Sequence, residues 1–448
     1  MAVKIVESHS VSPSSGAAAE HTLPLLYFDM IWLDFVLTET LHFYPLKCSQ
    51  SFFFETVVVN LKHSLSLALN HFLPLSSKII FPLTSSAMPV SCYTTGDSLS
   101  LTIATSDDDF SFVVSNHPKP AHDFHQLVTQ MPAAVYSSDE IKFSSFAIQL
   151  TLFPNQGICI GFTHHHSICD ATTLSAFLHT WASINRSNGS DQLLLHQLPF
   201  YGRDSVQDSN KLTMIHWNKM KTSRPTVSLT PESPSDKVRA TFHLTNSQIE
   251  KLKRWVAIKK PSIGRPSAFV VACAYLWSCL AKSEVENDDD ETQYLCSPVN
   301  CRGRLNPPLP ENYFGNCSIQ LIASSSHGRL KGNDGFVAAA EAVADAVKIA
   351  VKSTRVSEFY ENRSEILSEL KGKRVVWVAG STKVDQYGAD YGWGPAIKYE
   401  CVHTDFNGTV HLCKGRKDGI DMGFSMPKAK LFFFSSVFNK YLFINSNL

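Results

Sequence analysis

Residues 146–181 read FAIQLTLFPNQGICIGFTHHHSICDATTLSAFLHTW. Two apolar runs, FAIQLTL and ICIGF, flank the turn-forming Pro154-Asn155-Gln156-Gly157, which is the pattern of two paired strands. After Asp170 the residues Leu174, Phe177, Leu178 and Trp181 recur at i, i+3, i+4 and i+7, the stripe of an amphipathic helix. The segment from Thr163 to Asp170 therefore joins a strand to a helix, and the fold class is read as α/β.

Working outward, the chain has 448 residues, 44% of them hydrophobic, more than one core usually spans, so two domains are expected. An N-terminal domain is assigned to 1–190. Residues 191–238 shift to Ser, Asn, Asp, Lys and Pro (SRPTVSLTPESPSD) and lose hydrophobic periodicity, which marks a crossover linker. A C-terminal domain is assigned to 239–448. In it, Asn246 or Ser247 is read as the cap of a helix carrying Ile249, Leu252 and Val256, 268–281 (AFVVACAYLWSCLA) as a buried helix, and 334–353 as a third helix. Residues 374–379 (RVVWVA) and 431–437 (LFFFSSV) are read as strands.

Composition excludes several classes. Forty Lys and Arg balance forty Asp and Glu, so no net field draws the chain to nucleic acid or an anionic membrane. The opening MAVKIVESHS lacks the apolar core of a secretory signal, and 268–281 falls short of the roughly 18 residues that span a bilayer. Eleven cysteines, with no C-x-x-C pair, suit neither a disulfide framework nor a structural zinc site. A reduced, cytosolic enzyme is expected.

The chemistry concentrates in Thr163-His164-His165-His166-Ser167-Ile168-Cys169-Asp170. A histidine exposed at a strand-to-helix junction suits general-base work near neutral pH. The spacing alone is weak: with 18 histidines, about one H-x-x-x-D arises by chance. Asp170 read simply as an N-cap, with the histidines as polar loop residues, is the plainer account of that pattern alone. Adjacent residues of an extended segment point to opposite faces, so three consecutive histidines do not converge on a metal ion. G-x-S-x-G, H-E-x-x-H, the P-loop and G-x-G-x-x-G are all missing. A base without a protein nucleophile suits direct attack by a substrate hydroxyl on an activated acyl donor.

With these residues in view, a resemblance becomes specific. The stretch from His166 to Asp170, together with Asp390-Tyr391-Gly392-Trp393-Gly394, resembles the H-x-x-x-D and D-F-G-W-G signatures of the plant BAHD acyltransferases. Tyr313-Phe314-Gly315-Asn316-Cys317 is similar to the Y-F-G-N-C motif of that family's anthocyanin and flavonoid acyltransferase branch. The likeness extends from LPLLYFDMIWL near the N-terminus, through Asn300-Cys301-Arg302-Gly303-Arg304-Leu305, to Gly423-Phe424. Ala171 stands where the family has glycine, Tyr391 where it has phenylalanine, and Leu75-Ser76-Ser77 where it has L-A-G. The Tyr391 hydroxyl must find a partner if it is buried.

The resemblance implies two similar-sized α/β domains of the chloramphenicol-acetyltransferase kind with a solvent channel between them. His166 would be the base, Asp170 would pair with Arg302 to hold the histidine loop, and 390–394 would be structural on the CoA side. Arg304 and 313–317 would line the acyl end of the channel, where an arginine favours malonyl; a surface arginine and a packing loop are equally open readings. Acyl-CoA is implied as cosubstrate and a phenolic glycoside as acceptor, with no metal or redox cofactor, no nucleic-acid or membrane partner, and a monomer. The donor stays open between malonyl and hydroxycinnamoyl. The rival readings are a peptide-synthetase-type condensation domain, whose H-H-x-x-x-D-G core fits except at Ala171, and a non-catalytic paralogue that binds phenolics or CoA esters.

Overall fold

Phe146–Phe153 and Gly157–His164 pair antiparallel, with Phe146 opposite His164 and Phe153 opposite Gly157. Asn155 closes the turn in the left-handed region, a conformation its short polar side chain tolerates. Every residue of both strands is buried, which is why they read as nearly continuous apolar runs. The computed structural model describes the chain except residues 85–86, 191–197, 207–208, 228–235, 285–287, 353, 407 and 445–448.

The hairpin lies at the centre of a six-stranded sheet whose order is Val3–Val11, Leu99–Ser106, Phe146–Phe153, Gly157–His164, Thr38–Tyr44, Lys398–Cys401. A seven-stranded sheet runs Ser318–Ser326, Thr292–Asn300, Arg374–Ser381, Val410–Lys414, Ile420–Pro427, Lys237–Leu244, Lys119–Pro120. A smaller third sheet holds Glu20–Pro24, Val90–Thr94, Lys78–Pro82, Glu140–Ser144 and Val135–Tyr136. Ala268–Ser283 is the buried helix at the heart of one core, and Ala171–Arg186 packs its Leu174, Phe177, Leu178 and Trp181 into another.

The two large sheets exchange edges. Lys398–Cys401 pairs with residues 40–43 of the first sheet, while Lys119–Pro120 pairs with Val238 and Arg239 of the second. Segments far apart in sequence thus complete each other's sheets, which sequence patterning, being local, does not reveal.

Three sequence expectations change. Residues 431–437 are not a strand but part of the helix Lys428–Ile444. Leu431, Phe434 and Phe438 are buried while Phe432 and Phe433 are 73% and 53% exposed, a helical spacing of three and four hidden inside an unbroken apolar run. The cap of Asn246–Lys259 is Thr245, whose hydroxyl accepts from the Gln248 N–H as the Gln248 side chain accepts from the Thr245 N–H, a reciprocal capping box. Residues 191–197, 207–208 and 228–235 of the expected linker lie outside the described residues. Between them Ser209–Met220 is a helix. Its buried face was masked by polar residues that are hydrogen-bonded: Thr213 Oγ1 accepts from the Tyr27 N–H at 3.2 Å and His216 Nε2 meets the Tyr360 carbonyl at 3.0 Å.

A buried ionic cluster clamps the seam. Arg239 donates to Glu400 at 3.1 Å and to Asp405, and Lys398 meets Glu400 at 3.3 Å. His125 lies between Glu39 at 3.0 Å and Asp405 at 3.1 Å. Burial alone would lower the His125 pKa, but its bonds to Asp405 and Glu39 more than reverse this and raise it to about 9. A raised histidine pKa contributes stability that is complete below the unfolded value of about 6.5 and is lost as pH rises through the folded one. The melting temperature should therefore fall between pH 7 and 10 more steeply in the native chain than in His125→Gln. Parallel curves would show that His125 carries no charge in the clamp.

Candidate active site

His166 follows the end of the strand Gly157–His164, in a turn where the Ile168 N–H donates to the His165 carbonyl at 3.0 Å. Its imidazole stacks on Trp32 with centroids 3.9 Å apart and planes 16° from parallel, and Phe35 meets it edge-on at 6.0 Å. Burial lowers its pKa, partly offset by its own carbonyl, Asp170, Asn316 and Asp29. The ring is thus neutral and basic at neutral pH.

The adjacent histidines are structural. His165 Nδ1 accepts from Ser167 Oγ at 2.7 Å and its Nε2 meets the Thr226 carbonyl at 3.1 Å, and burial lowers its pKa to about 4. His164 stacks on Phe146 at 5.9 Å, with its pKa also driven far down by burial. Among the described residues no group of three or more His, Cys, Asp or Glu could hold a metal ion.

Asp170 does two things at once. It caps Ala171–Arg186, its Oδ1 accepting from Thr172 N at 3.1 Å and Thr173 N at 3.0 Å. It also takes a two-pronged contact from Arg302, Nη1 to Oδ2 at 2.7 Å and Nη2 to Oδ1 at 3.0 Å, and the Cys317 N–H at 3.2 Å. Burial would raise its pKa, but Arg302 and the backbone donors outweigh it and hold the carboxylate ionised. Arg302 is 0% exposed and further donates to the carbonyls of Tyr313 at 3.1 Å and Gly315 at 2.9 Å.

The 313–317 segment lies behind the histidine loop. Tyr313, Phe314, Asn316 and Cys317 are all buried, so they back the loop and are not laid out as an open channel wall. Asn316 Nδ2 donates to the His166 carbonyl at 2.9 Å and to Asp29 Oδ1 at 3.0 Å. The Tyr313 hydroxyl and the Phe314 carbonyl take Arg203, whose other nitrogen reaches Asp29 at 3.4 Å. Gly315 has φ +119°, and a Cβ there would lie 2.7 Å from the Arg203 guanidinium. Arg304 is half-buried and donates to the carbonyl of Asn300 in its own loop.

The other motif is at the far end of the same helix. Asp390 Oδ1 accepts from Gly392 N at 2.8 Å and Gly394 N at 2.9 Å, and both glycines have positive φ. Asn185, near the helix C-terminus, donates to the Tyr391 carbonyl at 2.7 Å. Tyr391 packs edge-on to Trp181 at 4.9 Å and stacks on Trp393 at 5.6 Å. With 16 residues in Ala171–Arg186, the two motifs are held about 24 Å apart along the helix. The Tyr391 hydroxyl is buried with no hydrogen-bond partner among the described residues, contrary to the expectation that burial would supply one. Ala171 is the first residue of the helix. Ser76 and Ser77 bond the carbonyls of Leu73 at 3.0 Å and Pro74 at 2.8 Å, which keeps that turn intact.

Sequence reading missed several residues. Asp29 and Arg203 anchor the Asn316 segment; a lone carboxylate inside the apolar LPLLYFDMIWL signals a buried, paired charge, whereas Arg203, in the polar stretch 191–238, carries no such signal. Along Thr38–Tyr44, Thr38, Thr40 and His42 share one face, and the two threonine hydroxyls are buried without a hydrogen-bond partner among the described residues, as is His164 Nδ1 opposite Thr38. Tyr44, at the end of this row, meets Tyr391 and Trp393 at 5.5 and 5.8 Å.

Arg302→Ala should lower stability by about 3–5 kcal/mol, because it leaves the Asp170 carboxylate buried without its cation; denaturant unfolding measures this, and a loss below about 1 kcal/mol would remove the pair from its structural role. Tyr391→Phe removes an unpaired buried hydroxyl and should raise stability by about 1 kcal/mol. A comparable loss in the same assay would reveal a partner for that oxygen.

A model described as the Transferase family matches residues 1–441. The chain is 38% identical to a malonyl-coenzyme A:anthocyanin 3-O-glucoside-6''-O-malonyltransferase of Dahlia pinnata, covering 97% of this chain and 96% of that one. It is 37% identical to phenolic glucoside malonyltransferase 1 of Nicotiana tabacum, with 90% of each covered. It is 32% identical to a coumaroyl-CoA:anthocyanidin 3-O-glucoside-6''-O-coumaroyltransferase of Arabidopsis thaliana, with 97% of each covered. Among solved structures, vinorine synthase superposes with a TM-score of 0.72 at 18% identity, covering 96% of both chains. F. sporotrichioides TRI101 complexed with coenzyme A and T-2 gives 0.67 at 14% identity, covering 93% of this chain and 97% of that one. The fold is thus the chloramphenicol-acetyltransferase-like α/β fold, and the chain belongs to the BAHD family of acyl-CoA-dependent acyltransferases, in its anthocyanin and phenolic glucoside branch.

Proposed function

We propose that this protein transfers a malonyl or hydroxycinnamoyl group from its CoA thioester to a sugar hydroxyl of an anthocyanin, flavonoid or other phenolic glucoside, with His166 as general base and no acyl-enzyme. Membership of the family makes the chain an acyl-CoA-dependent O-acyltransferase. The relatives named for malonyl and for coumaroyl transfer to glucosides support sugar acylation and leave both donors open.

The observation that carries the mechanism is a neutral His166 whose neighbours offer no nucleophile. Ser167 is fully buried and its hydroxyl is bonded to His165, whose pKa burial lowers to about 4, too weak a base to activate it, and burial pushes the Cys169 thiol well above its usual range. The acceptor hydroxyl would therefore attack the thioester carbonyl directly, passing its proton to the imidazole as the C–O bond forms. Collapse of the tetrahedral intermediate breaks the C–S bond, and the departing CoA thiolate takes the proton back from the imidazolium.

The buried polar row from Thr38 to His42 runs from the histidine loop toward Tyr391 and Trp393. The placing of 390–394 on the CoA side belongs to this proposal, supported by membership of the family. The division into 1–190, a 191–238 crossover and 239–448 belongs to the same proposal, as do the monomer and the cytosolic site of action. Arg304 spends a donor on its own loop, so it supports neither donor over the other.

Thiol release from malonyl-, acetyl-, coumaroyl- and caffeoyl-CoA, each with and without an anthocyanin or flavonol glucoside, tests the proposal. Glucoside-dependent release with one preferred donor is expected; release that ignores the glucoside would point to hydrolysis, and binding of glucoside without release to a non-catalytic protein. His166→Ala should lower turnover by about a hundred- to ten-thousand-fold with the melting temperature little changed. Near-native turnover would remove His166 as the base.

A further inference from the structure

Burial keeps the His166 ring neutral and basic, and the same loss of water disfavours the imidazolium that forms when the acceptor hydroxyl gives up its proton. A buried base therefore needs a neighbour that favours its charged form. The two carboxylates that act on the ring are already engaged by guanidinium groups, Asp170 by Arg302 at 2.7 Å and Asp29 by Arg203 at 3.4 Å. His164, His165 and His403, which also interact with the ring, are held neutral by burial.

Trp32 is placed to meet that need. The indole and imidazole planes lie 16° from parallel with centroids 3.9 Å apart, well inside the roughly 6 Å within which an aromatic face attracts a cation. Tryptophan offers the strongest such face of any side chain, and the attraction grows where water is excluded. Phe35 packs edge-on against the indole at 5.1 Å and meets the imidazole in the same way at 6.0 Å. Thr226 fixes the register of the stack. Its N–H donates to the Leu33 carbonyl at 2.8 Å and its hydroxyl to the Asp34 carbonyl at 2.9 Å, while its own carbonyl meets His165 Nε2 at 3.1 Å. One residue thus ties the chain beside Trp32 to the residue before His166, so the two rings stay opposed as the charge develops.

We infer that Trp32 supports the base electrostatically: its indole face stabilises the imidazolium that His166 becomes as the acceptor O–H bond breaks. The indole makes and breaks no bond. The proton passes from the acceptor oxygen to the imidazole as the C–O bond forms and returns to the thiolate when the C–S bond breaks; over that interval the positive charge lies against the indole. Trp32 acts through His166 and is in that sense a positioning residue. The inference rests on the reading of His166 as base. A purely packing role for the same contact would act on the ring in the opposite direction, because an apolar cover only disfavours the charged form.

The test is the pH dependence of kcat/KM in the full-length protein, measured with the acyl-CoA and glucoside pair that gives the fastest thiol release, as Trp32 is changed. Fluorinated tryptophan at position 32, carrying one, two or three fluorines on its six-membered ring, weakens the π face while nearly keeping the indole shape, and Trp32→Leu removes the face altogether. Each fluorine is expected to lower the rate and the pKa of the acid limb together. Trp32→Leu should lower the rate by about five- to thirtyfold, with the acid-limb pKa below the native one. A rate or a pKa that stays level along the fluorine series overturns the inference whether or not Trp32→Leu folds, and so does a folded Trp32→Leu whose acid-limb pKa is unchanged or raised. Failure of the base reading is seen separately, as activity that survives His166→Ala.

Discussion

A carboxylate removed from water must be met by enough donors to replace its hydration, and Asp170 meets five: two nitrogens of Arg302, Thr172 N, Thr173 N and Cys317 N. This one side chain starts the helix Ala171–Arg186, anchors a fully buried guanidinium, and binds the backbone of the 313–317 segment. Asp170 is thus at once a helix cap and the partner of an arginine. The positive end of the helix and the cation favour the same ionised state, so neither role weakens the other. The histidine loop is rigid because its end is pinned from two sides of the molecule.

From that point the site extends along one helix. At its N-terminus Asp170 holds the loop bearing His166; near its C-terminus Asn185 holds the Asp390–Gly394 turn. The strand Thr38–Tyr44 spans a similar interval, beginning opposite His164 and ending at the aromatic rings of that turn. Helix and strand together set the distance between His166 and the 390–394 turn.

The two sheets are locked by exchange and by charge. An edge strand traded in each direction buries backbone groups that would otherwise be open edges, and Arg239, Lys398 and His125 face Glu39, Glu400 and Asp405 across the join. The position of His166 depends on this seam, since Arg302 and Asn316 come from the second half of the chain and the histidine loop from the first. Tyr391 shows how little slack remains: its ring fills the space against Trp181 and Trp393, and its hydroxyl has no hydrogen-bond partner among the described residues.

The sequence by itself determined the elements whose period is local: the strand pair at 146–162, the helix after Asp170, the buried helix at 268–281, and the H-x-x-x-D, Y-F-G-N-C and D-Y-G-W-G elements that identify the family. Where the apolar pattern was unbroken, as in LFFF at 431–434, or interrupted by polar residues that bond inward, as in 209–220, the period misled. Tertiary structure decided what depends on distant partners: that Lys398–Cys401 completes the first sheet, that Asp29 and Arg203 anchor the Asn316 segment, and that 313–317 lies behind the loop. Those are contacts between residues more than a hundred positions apart, and nothing in a linear pattern records which buried charge will meet which.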